Sequence, residues 1–382
     1  MKKALLGIAA VTLLLLSASC AKKNVISGQF DGLASDSLLV EIMDFNNMRE
    51  PLRSMVIPAP EGKFSFEVVD SVVRGILIYI PDDVRGKEHG ITSVVFVPGE
   101  RAKISGTLDS PVIDGSRFFK DQKVYEDLCK EDQDKIKGII DEYRAAGSAG
   151  DEAKADSLME AYKGINEHIA SITKDFVKSN PSSVYAASIL GNLIGDDGKD
   201  VLEVLELIPE KVKEGPVKPL VEKYKLSAEK AYARAEAAQK VKDNMNAPDF
   251  TLKNEKGADF TLSSIYNQGK YIILDFWGEW CYWCVKGIPD MKQLYKDAKG
   301  KIEIVSIDCR DTEEVWKKAI AEHGLPWLHV YNPEGPKDLS IVYAIQGYPT
   351  KIILNPDGSI NKTIVGEDPE FYSYVRNLIG IK

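Results

Sequence analysis

Cysteine and histidine are scarce in this chain: five and four residues out of 382. The histidines stand apart at 89, 168, 323 and 329, none in a paired ligand motif with Cys129 or Cys309. A structural zinc site wants four ligands, so the pattern argues against one, and no motif calls for a bound cofactor. Long apolar runs are missing beyond the first twenty residues, so no later stretch can cross a bilayer, which takes about 20 apolar residues. Basic runs are missing too. Lys and Arg number 49 against 58 Asp and Glu, a net charge of −9. Nucleic-acid affinity rests on cations neutralising phosphates, so no nucleic-acid partner is expected; the acidity serves solubility. Five cysteines are also too few to staple a chain of this length, but they suffice for one working pair.

That pair stands in Leu274-Asp275-Phe276-Trp277-Gly278-Glu279-Trp280-Cys281-Tyr282-Trp283-Cys284. An apolar run from Tyr271 to Leu274 leads in, and Ile288, Met291, Leu294, Tyr295 and Ala298 follow at helical spacing. The pattern reads strand, short turn, helix. Cys281 then lies at a helix N-terminus, where unpaired N–H groups and the macrodipole favour an anion. A reactive thiol needs that setting, because the thiolate is the attacking species. Cys284, about one turn on, shares the face and can close a small ring with Cys281. Attack by Cys281, a mixed disulfide and resolution by Cys284 constitute thiol–disulfide exchange.

The segment from Asp275 to Cys284 resembles the active-site stretch of thioredoxins. Pro289, five residues after the second cysteine, matches that family's helix-kinking proline, and Gly347-Tyr348-Pro349-Thr350 resembles its cis-proline loop. Ala247-Pro248-Asp249-Phe250-Thr251-Leu252 and Thr261-Leu262 resemble the opening of exported or membrane-anchored reductases of the TlpA/ResA type. The resemblance implies a thioredoxin fold over 247–382 and assigns roles. Cys281 and Cys284 form the redox-active disulfide. Asp275 is a buried carboxylate whose pKa rises on desolvation and which takes the proton Cys284 must lose; the plainer alternative is an Asp capping a strand end. Thioredoxins pair that carboxylate with a lysine on a neighbouring strand, and Ile302–Ile307 carries none. Pro349, if cis, exposes the Tyr348 backbone to an extended substrate. Trp280, Tyr282, Trp283 and Tyr348 are the candidate substrate-binding rim. Tyr282-Trp283 adds neither positive charge nor a proline between the cysteines, which favours a reductant over a strong oxidant and suits unfolded or haem-binding peptides.

The first twenty residues read as an export signal. Lys2 and Lys3 precede the apolar Ala4–Leu16, about 20 Å of helix, too short to span a membrane. Ser17-Ala18-Ser19-Cys20 resembles a bacterial lipobox, which implies lipidation of Cys20 and a membrane anchor on the periplasmic side of the cell envelope. From 25 to 115 short alternating runs such as Phe64, Phe66 and Val68 predict a β-sandwich. His89 reads as a solvated loop residue. Residues 116–246 predict a helical region. Leu158, Tyr162, Ile165, Ile169, Ile172 and Phe176 make a short heptad-like seam, read as a helical hairpin, and Val217–Val241 a long solvated helix. The whole is a multidomain chain: all-β, then α-helical, then α/β.

The expected partners are disulfide-containing exported proteins, a membrane or periplasmic thiol electron donor, and the membrane through lipid on Cys20. Two other readings compete. A thiol peroxidase fits poorly, since Trp277-Gly278-Glu279-Trp280-Cys281 is not a Pro-x-x-x-Thr-x-x-Cys setting. A cell-envelope binding protein with a secondary redox domain is the third. Cys129 and Cys309 are expected to be buried bystanders, with a third redox thiol at Cys309 or a bridge between them as alternatives.

Overall fold

The computed structural model describes residues 24–81, 83, 89–333, 335 and 338–381. Cys20 and the export signal lie outside the described residues. The chain divides into two compact units: one running to Leu193 and including Val204–Tyr224, the other comprising Ile194–Glu203 and Lys225 to the C-terminal end.

The first unit opens with eight strands: β1 (Asn24–Gln29), β2 (Ser37–Met43), β3 (Arg53–Pro58), β4 (Lys63–Val68), β5 (Arg74–Tyr79), β6 (Thr92–Phe96), β7 (Ala102–Gly106) and β8 (Pro111–Gly115). They form two four-stranded sheets, ordered β4-β1-β7-β8 and β3-β2-β5-β6. Strand β4 alternates buried and exposed residues throughout, with Phe64, Phe66 and Val68 inside, as a sheet with one wet face requires. His89 is an exposed turn residue, as expected, and its Nδ1 lies 3.3 Å from Oδ2 of the buried Asp83.

Helices α1 (Arg117–Ala149) and α2 (Glu152–Ser179) pack along each other. Helix α1 runs through Gly147-Ser148-Ala149, and Gly150 ends it at φ 70°. The left-handed conformation there is one a glycine adopts without a Cβ penalty. The α2 seam is half-buried and becomes fully buried near its end, at Thr173, Phe176 and Val177. Tyr125 Oη, 2.7 Å from Thr173 Oγ1, ties the two helices together. Three short helices, α3 (Val184–Ser188), α4 (Lys199–Leu205) and α5 (Glu210–Lys213), precede α6 (Lys218–Ala238), which enters both units.

In the second unit a small hairpin, β9 (Thr251–Lys253) and β10 (Asp259–Thr261), leads to β11 (Tyr271–Trp277), α7 (Tyr282–Asp297), β12 (Ile302–Asp308), α8 (Glu313–His323), β13 (Leu328–Tyr331), α9 (Leu339–Val342), β14 (Thr350–Leu354), β15 (Ile360–Val365) and α10 (Pro369–Leu378). The main sheet has the order β13-β12-β11-β14-β15. Its first three strands are parallel, and β14 and β15 are antiparallel. Both faces are covered: Ile288, Met291, Trp316 and Phe371 pack on one, Phe250, Leu262, Leu339 and Tyr343 on the other. Double burial is why β11 reads as a nearly unbroken apolar run instead of alternating. Helix α7 begins directly after Cys281, at the N-terminus expected there. Pro289 lies inside it and removes one internal hydrogen bond without ending the helix.

Candidate functional site

Strand β11 delivers the chain to the sheet's C-terminal edge, and Gly278-Glu279-Trp280 turns it into α7. A Cβ at Gly278 would lie 2.4 Å from the Trp280 indole nitrogen and 2.8 Å from the Cys309 carbonyl oxygen. Only glycine lets Trp280 fold back and donate to that carbonyl, at 2.7 Å. Cys281 is the N-cap of α7, and its Sγ accepts from the Cys284 amide at 3.2 Å. The two sulfurs are joined as a disulfide, with Cα atoms 5.2 Å apart. Both cysteines are about 5% exposed. Their surround is not: Tyr282 is 69% and Trp283 53% exposed, and Trp280 stands out beside them. Lys286, one turn on, places Nζ 4.5 Å from the Trp283 ring centre. The rim therefore carries a cation that the intervening pair does not supply. The Tyr348–Pro349 bond is cis, and Tyr348 packs edge-on against Trp280 at 5.3 Å.

Asp275 lies behind the dithiol, buried, with Oδ2 accepting from Ser306 Oγ at 2.9 Å. Trp327 Nε1 in turn donates to Ser306 Oγ at 2.8 Å. The lysine absent from β12 comes from the other neighbour: β14 runs antiparallel to β11 and sets Lys351 opposite Asp275. Lys351 is 2% exposed, and its Nζ lies 2.7 Å from Glu367 Oε2. Tyr372 Oη donates to the other Glu367 oxygen at 2.5 Å. The carboxylate fits against α7 only because residue 287 is glycine; a Cβ there would sit 2.5 Å from it. Asp275, Cys284, Pro349, Lys351 and Glu367 share the wall of a cavity of about 10 Å³, near the size that holds one water. Burial pushes the Asp275 carboxyl above the usual carboxylate range; Lys351 and the Ser306 hydroxyl pull it back, and Glu367 raises it. Burial, then the Glu367 carboxylate, keep Tyr372 protonated and hence a donor.

The structure thus brings Cys281, Cys284, Asp275, Pro349, Trp280, Tyr282, Trp283 and Tyr348 to one edge of the sheet. Lys351, Glu367 and Tyr372 join them unannounced. The signal for Lys351 was there, two residues past Pro349 on a strand whose neighbour was not known. Cys129 and Cys309 are buried free thiols. Burial pushes Cys309 up to about 12, so it holds its proton and takes no nucleophilic role at neutral pH. Among the described residues, no three His, Cys, Asp or Glu side chains are grouped to hold a metal ion.

A second buried acid was missed entirely. Asp308 ends β12 with neither carboxylate oxygen hydrogen-bonded, and burial, with Asp311 nearby, pushes it up to about 8. The native group keeps its proton well above 3.8, where the unfolded one releases it. Stability contributed below that value is therefore lost as pH rises towards 8. Between pH 5 and pH 7 this amounts to about 2–3 kcal/mol at 1.36 kcal/mol per unit. Asp308→Asn reduces the slope by that amount, as denaturant midpoints at the two pH values would register. Identical slopes for variant and wild type would show that Asp308 ionises freely.

Comparison with known proteins places this geometry. A thioredoxin-like family profile matches residues 269–360. The thiol-disulfide oxidoreductase ResA of Bacillus anthracis is 31% identical over 130 residues, 34% of this chain and 73% of that protein. The chain belongs to the thioredoxin-like thiol-disulfide oxidoreductases. The thioredoxin-like protein YneN of Bacillus subtilis is 29% identical, over 33% of this chain and 73% of its own length. Among solved structures, the thioredoxin domain of a thiol-disulfide oxidoreductase from Bacteroides vulgatus is 30% identical, with 36% of this chain and 98% of that one covered, at a TM-score of 0.32. Membership in this family gives the C-terminal region its α/β fold and its enzyme class; the sheet-rich and helical regions precede it.

Proposed function

We propose that the chain is an exported, lipid-anchored enzyme that reduces disulfides in other exported proteins through Cys281 and Cys284. The observation that carries the reading is the dithiol at the N-terminus of α7, backed by a desolvated carboxylate. Reduced Cys281, ionised at the helix end, attacks one sulfur of a substrate disulfide, and the other sulfur leaves as a thiolate and takes a proton. Cys284 gives its proton to Asp275 and attacks Cys281 Sγ. The substrate leaves as a dithiol, and the Cys281–Cys284 disulfide forms. A membrane or periplasmic thiol donor returns two electrons and two protons. Lys2, Lys3, the Ala4–Leu16 run and Cys20 support export and the anchor. Unfolded segments such as haem-binding peptides suit the aromatic rim of Trp280, Tyr282 and Trp283, with the Tyr348 backbone beside cis-Pro349 as the pairing edge.

The direction is tested by equilibrating the protein with glutathione. A potential below about −200 mV is expected, and one near −120 mV, the strong-oxidant end of the range, would overturn the reductant reading.

Asp275→Asn tests the proton acceptor. The base must be ionised to act, so the wild-type resolving rate climbs with pH through the raised carboxyl pKa. The variant loses about 10²-fold at pH 7, the lower end for a general base. Its mixed disulfide accumulates in quenched samples. Unaltered resolution would leave Asp275 as a strand-end cap only.

A further inference from the structure

Three cationic side chains line one pocket beside the cis-proline. Lys230 and Arg234 come from the C-terminal half of α6, Arg310 from the loop after β12, and Asn332, Asp338 and Tyr348 complete the wall of a cavity of about 90 Å³. Arg310 adopts φ 72°, a conformation a non-glycine residue holds only at a cost. Its guanidinium lies 5.2 Å from the Trp280 ring centre and 5.1 Å from that of Tyr348. Contact with both rings holds this charge beside Trp280 and Tyr348. Arg234 Nε is buried with no hydrogen-bond partner, an unpaired donor on a charged group.

Acidic residues outnumber basic ones in this chain, 58 to 49, yet among the described residues none of the three cations has a carboxylate within ion-pairing distance. Asp338, the one carboxylate on the wall, spends Oδ1 on the Ser340 amide and Asn332 Nδ2, both at 2.8 Å. Among the described residues the pocket therefore carries three cations against one carboxylate, and an orphaned donor, next to Trp280 and Tyr348.

We propose that this pocket receives a carboxylate of the substrate, so that the enzyme prefers disulfide-bearing segments with an acidic residue near the cysteine. The inference rests on the disulfide-reductase reading and specifies its substrate class. A peptide extended along Tyr348 passes the Arg310 stack, and an Asp or Glu side chain a few residues from its cysteine enters the cavity. There it meets the Arg310 guanidinium, the unpaired Arg234 donor and the Lys230 ammonium. The contact adds binding and leaves the sulfur chemistry untouched, so it acts on KM.

The test uses a set of synthetic disulfide-bonded peptides in which one glutamate is moved through the positions flanking the cysteine, each matched to a glutamine peptide. The expected result at the best position is a kcat/KM about tenfold higher for glutamate, expressed in KM and shrinking as salt screens the pocket. In Lys230→Gln/Arg234→Gln the ratio falls towards one. Arg234→Lys, which keeps the charge and loses the planar fork, retains part of it and serves if the double variant does not fold. A ratio near one at every position in the wild type overturns the pocket, as does a tenfold ratio that survives in the double variant. Failure to reduce even the glutamine peptides would instead overturn the reductase reading, so the two are told apart.

Discussion

Cys281→Ser leaves no disulfide reduction above the uncatalysed rate, a loss of several orders of magnitude, because the hydroxyl cannot replace a thiolate as attacking sulfur. Cys284→Ser behaves differently. It still attacks once and then stalls, accumulating a mixed disulfide on Cys281 that mass spectrometry of the quenched protein detects. The asymmetry follows from placement: Cys281 is the N-cap of α7, whereas Cys284 lines the cavity shared with Asp275. Adduct on Cys284 in the Cys281→Ser protein, with none on Cys281 in the other variant, would reverse the roles. Turnover by Cys281→Ser within tenfold of wild type would dispose of the mechanism.

Lys351→Met is expected to destabilise the second unit by about 3–5 kcal/mol, the usual cost of removing one partner from a buried ion pair. Lys351 and Glu367 are both largely withdrawn from water and 2.7 Å apart. With the ammonium gone, Glu367 keeps only the Tyr372 hydroxyl, and Asp275 loses its compensating charge. Adding Glu367→Gln to Lys351→Met returns part of the loss, because the charge left unpaired is then also removed. Denaturant midpoints of the single and double variants check this. A single-variant loss below about 1 kcal/mol, typical of an exposed pair, would mean that water reaches the site. Kinetics move as well: without Lys351 the Asp275 carboxyl rises further, so the pH at which Cys284 resolves half-maximally shifts upward.

Local signals carried much of this far. The C-x-x-C spacing, the apolar run before it and the helical period after it located the dithiol and its helix. The doubly apolar runs Tyr271–Phe276 and Ile302–Ile307 marked the central strands, since strands covered on both faces cannot alternate. Other features were illegible because no local pattern encodes them. The lysine opposite Asp275 is one, since it comes from β14, a neighbour that only the strand register names. His89 looked solitary because its partner Asp83 is meaningful only once the loop closes.

By itself, the order of residues determined which two cysteines pair, what kind of element holds them and which family the chain belongs to, because these rest on neighbours a few positions apart. Only the tertiary structure decided what surrounds the sulfurs. The register between β11 and β14 set Lys351 against Asp275; Glu367 reached it across the missing Cβ of Gly287; and α6 brought Lys230 and Arg234 to Arg310. Charges that meet in a water-poor interior interact far more strongly than along an open chain. Their pairing, which shifts the pKa values, is a property of distances between segments and not of spacing within one.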